Sequence, residues 1–469
     1  MFRQQVQASI SVFLALTITL VLSFCMVLIE SARENTLLLK ADIVMDAGVQ
    51  SVLAEYNIPL WEKYDLLYVD CSYNTESPDY EKVKGHLTEF IDRNLELGNQ
   101  GWLGLDYQGT EMVNVLLATD VKGEDFYRQA VRSAEASVGI SYIQQIAQWF
   151  ERLETTYSTG EMLQKEISDT SFAIEDANGM KIEVKEAVWG SDEKGNPIIL
   201  QEAEYEIVDI ENPLDQILSA NMLVRQIMED YSEVSGKNIS LENLASHRDL
   251  AVGTVEAQGE ADSIWNKILF GKYVLNHFSC YGNNTAKKSA GLQYEVEYII
   301  GGRAGDKQNM EIVVAELLLI REIDNYLVLL QDEMRKLEAH EMAIALTATL
   351  VPWLEPIMYH AILLYWAYED SVEDLRALFQ GRKIPLVKSL PVDVIGEFTL
   401  GYEEYLLLLL LMQKQENLAM RSIDVIEMTL REENNHFRMD ACIAQAQLTG
   451  LFLDMYDKKY IVTRKLQYY

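Results

Sequence analysis

Two short segments of the sequence carry residues in an order that enzymes use, and each lacks a necessary member. Residues 301–309 (GGRAGDKQN) follow a predicted strand and precede a predicted helix, as phosphate-binding loops do. They contain neither the Gly-Lys-Ser/Thr of a P-loop nor the glycine spacing of a dinucleotide-binding loop. His340 and Glu341 begin the pattern of a zinc-protease helix, but Ile344 occupies the place of the second histidine. The sequence therefore predicts a non-enzymatic protein with no catalytic residue, no cofactor site and no metal site.

Acidic residues form the next group whose spacing could do chemistry. A run without a basic residue comprises Glu202, Glu204, Glu206, Asp209, Glu211 and Asp215. These carboxylates lack the spacing of a calcium-binding loop, so we interpret the run as a solvated face, with a cation site as the alternative. The whole chain is acidic as well, with 39 Lys and Arg against 73 Asp and Glu. Such a surface repels phosphate backbones, which argues against nucleic-acid binding.

A hydrophobic segment near the N-terminus indicates where the protein resides. The 22 residues from Ala8 to Ile29 contain no charged side chain. As a helix they would be about 33 Å long, enough to cross a hydrocarbon core of about 30 Å. Arg3 precedes the segment and acidic residues follow it, which predicts a cytoplasmic N-terminus, a single span of the cell membrane and an extracellular bulk. The alternatives are a cleaved signal peptide, for which the segment is long, and a buried core helix.

The anchor continues into a predicted stalk helix, because residues 31–56 contain no proline. Apolar and small residues recur on one face of this helix at steps of three and four. This face could pack on the protein's own globular part or on other subunits, and small side chains favour the close approach of a second helix. Glu30 and Arg33, which precede the first apolar residue of this face, could pair with each other or with a neighbouring subunit. The residues predicted to contact partners are Glu30, Arg33, Leu37, Ala41, Val44, Gly48 and Val52.

The remainder of the sequence predicts strands and helices in mixed order. We predict strands at 109–120, 294–300 and 460–467, a hairpin of 180–188 and 198–208 with its turn at 190–192, and helices at 126–157, 214–231, 264–278, 308–338 and 402–430. A heptad seam marks the helix of 308–338, from Ile320 to Leu337. Residues 342–368 are apolar but interrupted by two prolines, so we favour buried helices there over a second membrane hairpin.

These elements predict an α+β protein. A single N-terminal transmembrane helix extends into a long stalk helix, and a mixed α/β exported region follows, with a mainly helical C-terminal half. The predicted division is 1–29, a cytoplasmic tip and transmembrane anchor; 30–57, the stalk helix; 58–157, an α+β domain; 158–213, an irregular acidic β insertion; and 214–469, a mainly helical C-terminal domain.

Several blocks of the sequence resemble a known family. They are the E-S-A-R at residues 30–33, SVLAEYNIPLWEKYDLLYVDCSY at 51–73, LQYEVEYIIGGRAGDKQNMEIVVAELLLIREIDN at 292–325, WAYEDSVEDLRALFQGRKIPLVKS at 366–389 and LGYEEYLLLLLLMQKQENLAMRSIDVIEMTLR at 400–431. This family consists of uncharacterised envelope proteins of Gram-positive, mostly clostridial bacteria. Its members are encoded with tight-adherence (Tad/Flp) pilus systems and are similar to TadE/TadG-like pseudopilins. Residues 158–262 match only loosely.

The resemblance implies a non-enzymatic, membrane-anchored cell-surface component that acts in pilus assembly or anchoring, with residues 58–157 as a TadG-like domain. Other pilus or envelope proteins would be its partners, through the stalk helix. The sequence departs from processed pilins, because no glycine-type peptidase site precedes the span and Glu30 lies at its outer end. We therefore expect an unprocessed accessory component. The alternative function is an envelope enzyme or a ligand-binding adhesin that uses the acidic exported domain.

Overall fold

The computed structural model describes residues 2–73, 75, 77–96, 101–192, 196–217, 220–228, 231, 234–255, 263–283, 291–348, 351–388 and 399–468. The chain divides into two compact units. Unit 1 comprises Met1–Gln129, Leu244–Glu260 and Ile426–Tyr469. Unit 2 comprises Ala130–Asn243 and Ala261–Val425. This differs from the consecutive domains that the sequence suggested, because segments far apart in the chain share one core.

The described elements confirm the α+β class. The helices are α1 (Phe2–Leu53), α2 (Ile58–Tyr64), α3 (Tyr80–Glu96), α4 (Asp120–Glu135), α5 (Ile140–Ala177), α6 (Ala220–Ile227), α7 (Ile264–His277), α8 (Glu295–Gly301), α9 (Asp306–Leu329), α10 (Glu333–Thr347), α11 (Glu355–Phe379), α12 (Tyr402–Met412) and α13 (Gln415–Arg431). The strands are β1 (Val69–Asp70), β2 (Leu105–Leu117), β3 (Lys181–Lys185), β4 (Val188–Ser191), β5 (Pro197–Gln201), β6 (Glu204–Ile207), β7 (Ile384–Pro385), β8 (Thr399–Leu400), β9 (Cys442–Asp454) and β10 (Lys459–Gln467).

Helix α1 confirms the predicted continuous helix. It has 52 residues and is therefore about 78 Å long. Nearly every side chain from 10 to 32 is exposed, and burial begins at Arg33. The exposed stretch is long and apolar enough to cross a membrane, which is compatible with a single-pass anchor.

Unit 1 is built on an antiparallel sheet whose central strand is β9. One side of β9 pairs with β2 along its length, and the other side pairs with β10 and, at Cys442 and Ile443, with β1. Helix α1 packs on this sheet with α3 beside it, and Gly48 lets the two helices approach at Leu87 and Ile91. The sequence had predicted β10 and β2 but not β9, which occupies residues 442–454.

Unit 2 is mainly helical. Helices α9, α10 and α11 pack together with the C-terminal part of α5, and their apolar residues form one core cluster. The leucines 406–411 of α12 are all buried. Of the apolar region 342–368, residues 355–368 belong to α11 and bury most of their apolar side chains, as the preferred prediction of buried helices expected. Met342, Ile344 and Leu346 in α10 are exposed, which differs from that prediction.

Several predicted elements need correction. The strand predicted at 294–300 is wrong, because Glu295–Gly301 form helix α8. All side chains of Glu295–Ile300 are buried, and in a fully buried segment the pattern of residue types does not distinguish a strand from a helix. The single helices predicted at 126–157, 308–338 and 402–430 are each broken in two. Asp332 causes one break by accepting hydrogen bonds from the N–H groups of Met334 and Arg335 as the cap of α10. The heptad seam accordingly ends there, and Met334 and Leu337 are exposed.

The region 158–213 is less irregular than predicted. Its first part continues α5 to Ala177, so the acidic β insertion begins only afterwards. The predicted hairpin is present as two successive ladders, β3 with β6 and β4 with β5. Gly190 and Ser191 lie in strand β4, and Asn196 donates its backbone N–H to Asp192 across the turn.

Candidate membrane-exit site

The face of α1 predicted to contact partners lies inside unit 1. Five of its predicted residues, at positions 37, 41, 44, 48 and 52, are buried by α3 and the sheet. Of the two uses that the sequence left open, the structure shows packing on the protein's own globular part. Contact of this face with another subunit is excluded in this fold because its side chains are already covered. The sequence could not separate the two uses, since apolar spacing is the same in both.

Arg33 is the centre of a polar cluster where α1 leaves its exposed apolar stretch. Its Nη2 donates to Glu30 Oε1 at 2.7 Å and to Asp454 Oδ2 at 2.8 Å. Its Nη1 donates to the backbone carbonyl of Trp102 at 3.2 Å. The guanidinium also lies 4.8 Å from the centre of the Tyr456 ring. Arg33 therefore fastens α1 to the ends of β2 and β9, and its charge is fully used within the chain.

The turn between β9 and β10 positions the Asp454 carboxylate for its ion pair with Arg33. Its Oδ1 accepts the backbone N–H groups of Tyr456 and Lys458, each at 2.9 Å. Burial opposes ionisation, but these two donors and Arg33 together hold the pKa of Asp454 below its usual value. The carboxylate thus stays charged, and a buried ion pair forms in which both side chains are almost inaccessible, at 1% and 0%. Sequence reasoning missed Asp454, because nothing local links it to a residue 421 positions away.

Glu30 and Arg33 do pair, as the sequence allowed. Glu30 remains about half exposed while Arg33 is buried. The sequence left open that Arg33 pairs with a carboxylate of a neighbouring subunit. In the structure Asp454 of the same chain is that carboxylate. This corrects the predicted role of Arg33 as a partner contact.

The outward face of α1 beyond this cluster is mixed. Leu38, Leu39 and Ile43 are exposed large apolar residues. Between them, Asp42 and Asp46 pair with Arg464 of β10. This face, and not the predicted one, is the part of the stalk helix that is open to contact.

Unit 2 contains a second buried arginine, Arg321 on α9. Its Nη2 donates to Asp374 of α11 at 2.9 Å and lies 3.3 Å from Asp324. Its Nη1 donates to the carbonyls of Pro385 and Leu386, each at 2.9 Å. The group is completely inaccessible and ties two helices to β7 and the residue after it.

Two buried carboxyl groups of unit 2 have raised pKa values. Glu297 accepts the Tyr281 N–H and the Tyr402 hydroxyl at Oε1, both at 2.9 Å. Its Oε2 has no hydrogen-bond partner within the described part of the chain. Burial nevertheless raises the pKa of Glu297 to about 7, and burial does the same for Glu322. Such groups change protonation near neutral pH.

A cleft of about 550 Å³ opens on unit 2, lined mainly by α11. It presents the acidic side chains of Glu369, Asp370 and Glu373 beside Arg376. Burial raises the pKa of Asp370. Glu297 and Glu322 do not line this cleft, so the most perturbed carboxyl groups lie elsewhere.

The remaining predicted chemistry can be placed. Every acidic residue of the run at 202–215 is exposed, as expected of a solvated face. His340 pairs with Glu355 at 2.9 Å. Residues 301–305 connect α8 to α9, and Gly302 takes the left-handed conformation (φ 66°) that ends α8. Across the described ranges, no group of three or more His, Cys, Asp or Glu residues could hold a metal ion.

Comparison with known proteins gives one match. The sequence pattern of a family of unknown function, DUF5702, matches residues 203–390 and 394–452. No curated protein and no solved structure matches the chain. The matched region contains Arg321, Glu297 and the acidic cleft, together with most of β9. Because the match covers more than half of the sequence, the chain belongs to the DUF5702 family of unknown function.

Proposed function

We propose that the protein is a non-enzymatic, membrane-anchored component of a tight-adherence pilus, acting in pilus assembly or anchoring with its bulk outside the cell. One observation carries the anchoring part. Helix α1 runs without interruption from an exposed apolar stretch into the core of unit 1. An anchor that is also a core element holds unit 1 at a fixed height and orientation on the membrane. The pilus assignment is supported by the sequence blocks that resemble the tight-adherence family.

Contact with other pilus proteins is proposed through the outward face of α1. Leu38, Leu39 and Ile43 are exposed there, whereas the face of Leu37 and Ala41 is buried. Apolar side chains on a helix near the membrane are suited to packing against the helix of a neighbouring component. Asp42 and Asp46 on that face already pair with Arg464, so the proposed contact rests on the apolar side chains.

In-cell photo-crosslinking tests this function. A photoreactive residue is placed at position 39 or 43, and at the buried position 45 as the matched control. We expect crosslinks to pilus components from 39 and 43 but none to other proteins from 45. Equal, background crosslinking from all three positions would contradict the partner surface. Protease added to intact protoplasts should digest the bulk of the chain, and protection of it would contradict the proposed topology.

The acidic cleft favours a second candidate, an envelope protein that binds a ligand or acts as an enzyme. Converging carboxylates and two tyrosines, Tyr365 and Tyr368, line the cleft, and the Tyr365 hydroxyl is bonded to Gln216 and Glu369. Such a site would suit a cationic or polyhydroxylated ligand. The double variant Asp370→Asn, Glu373→Gln separates the two functions. If it abolishes surface adhesion while pilus number stays unchanged, the ligand-binding function is supported over the assembly function.

A further inference from the structure

Two segments that contact Arg33, through the Trp102 backbone carbonyl and the Tyr456 ring, carry three exposed side chains at the end of unit 1 where α1 leaves its apolar stretch. They belong to two different segments, with Trp102 preceding β2 and Met455 and Tyr456 in the turn after β9. Their exposed fractions are 50%, 59% and 64%. We infer that this edge, defined here as Trp102, Met455 and Tyr456, is a second membrane contact that inserts into the headgroup region of the outer leaflet. The inference rests on the proposed membrane anchoring and adds a lipid-binding surface to it.

The height of this edge along α1 follows from the contacts of Arg33. Side chains on a helix point toward its N-terminus, so the guanidinium lies below the Cα of residue 33, at the level of Glu30. Its bonds to Glu30 fix that level directly. The Trp102 carbonyl and the Tyr456 ring both contact the same guanidinium. Glu30 directly follows Ile29, the last residue of the uncharged segment. The edge therefore lies where the hydrocarbon core gives way to headgroups.

The side chains have the chemistry of that layer. Tryptophan and tyrosine are enriched at membrane–water boundaries because each has an apolar ring and a polar tip. The basic side chains nearby are paired within the protein, since Arg33 is bonded to Glu30 and Asp454, and Lys458 to Glu34.

The position of this edge along α1 favours lipid, rather than a protein, as what it contacts. The exposed residues Leu39 and Ile43 lie about 15 and 21 Å beyond Ile29 along the helix, above the headgroup layer. The edge, in contrast, is continuous with the span, since Leu28 and Ile29 are exposed apolar residues at the adjoining level. A membrane that surrounds the span must therefore reach the edge, whereas a protein partner would first have to displace that lipid.

Depth-dependent fluorescence quenching tests the inference with the full chain in phosphatidylcholine vesicles. Some vesicles contain lipid brominated near the headgroup and others contain lipid brominated near the chain ends. The protein has 7 tryptophans, so we expect Trp102→Phe to remove about one-seventh of the emission and most of the headgroup-level quenching. Trp61→Phe is the matched control, because Trp61 is also exposed in unit 1 but follows the far end of α1. Its removal should leave that quenching unchanged.

A reporter moved along the edge sharpens the test. In Trp102→Phe combined with Tyr456→Trp, the headgroup-level quenching should return, because position 456 adjoins the same guanidinium. Vesicle flotation is measured in parallel. Flotation with equal quenching of the parent and Trp102→Phe would overturn the membrane edge and leave the anchor standing. Failure of the parent to float would overturn the anchoring proposal and this inference with it.

Discussion

Arg33 and Arg321 are both buried arginines paired with aspartates, yet they connect different kinds of structure. Arg321 lies inside a helical unit and joins segments that are at most 84 residues apart. Arg33 lies at the edge of unit 1 and joins the N-terminal helix to a turn 421 residues later. The first pair stabilises a core from within. The second holds helix α1, at the end of its exposed apolar stretch, to the turn that follows β9. Burial of a charge therefore has two uses in this molecule, and the contrast between them can be tested.

The largest effect is expected from Arg321→Met. Removing the guanidinium leaves Asp324 and two backbone carbonyls in an inaccessible site, and breaking such a buried pair costs about 4–5 kcal/mol. Hydrogen exchange of the full chain should show this loss as faster exchange in α9 and α11. Arg335→Met is the matched control, because Arg335 is half exposed and pairs with Glu338 at the surface. Its cost should stay below about 1 kcal/mol, and an equal cost would contradict the role of Arg321.

A smaller loss is expected from Arg33→Met. Asp454 would keep its two backbone donors, so the loss should be smaller than for Arg321→Met. Faster hydrogen exchange should be confined to α1 beyond residue 33 and to β9 and β10. Glu30→Gln should have a smaller effect than Arg33→Met, since Glu30 is half exposed and Arg33 retains Asp454. If Glu30→Gln is as damaging as Arg33→Met, the comparison with Arg321 fails.

The pH dependence of unit 2 follows from Glu297 and Glu322. A carboxyl whose pKa is higher in the folded state binds its proton more tightly when folded. The stability that these two groups contribute to unit 2 should therefore be fully present below pH 4.5, the ordinary value for glutamate, and be lost as the pH rises through about 7. Each group contributes about 3 kcal/mol at most by pH 8.

Hydrogen exchange in α8, measured from pH 5 to 8 and corrected for the intrinsic rate, tests this contribution. In Glu297→Gln the pH dependence of the corrected exchange rates should fall to about half of that in the parent protein. An unchanged dependence would contradict the assignment to Glu297.

The smallest effect concerns the approach of α1 to α3. In Gly48→Ala the new Cβ would lie 2.9 Å from Leu87 Cδ1, which forces repacking and should cost about 1 kcal/mol after the gain in helix propensity. Gly85→Ala on α3 is the same substitution in open space, with no atom within 4 Å. It should stabilise unit 1 by about 0.5–1 kcal/mol. Thermal unfolding should shift in opposite directions for the two variants, and a shift of the same sign would disprove close packing at Gly48.

Local patterns were sufficient for part of the fold. The absence of proline predicted α1 correctly, and alternation predicted a strand that overlaps β2. The pairing of Glu30 with Arg33 was also within reach of the sequence, because residues three apart meet on a helix. The leucines of α12 identified a buried helix by composition alone.

The remainder depends on contacts between distant residues. Strand β9 contains alanine, glutamine and threonine between its larger residues, so its burial became visible only once β1, β2 and β10 lay beside it. Asp454 could be recognised as a turn residue from DMYDKK, but not as the partner of Arg33. Helix α8 has a strand-like composition that its surroundings override. The break before α10 could have been predicted from Asp332, because aspartate is a common helix cap. The heptad pattern, which continues past Asp332, suggested one continuous helix instead.

The central position of β9 determines when unit 1 can fold during synthesis. Helix α1 is made well before β9 and β10, which cover part of its inner face. Unit 2 ends at Val425, so its chain is complete earlier. The core of unit 1 can therefore be completed only after the chain of unit 2 has been made. A polypeptide that stalls before residue 442 would lack the strands that help to cover Leu37, Met45 and Val52, and would expose apolar side chains of the kind that chaperones and quality-control proteases recognise.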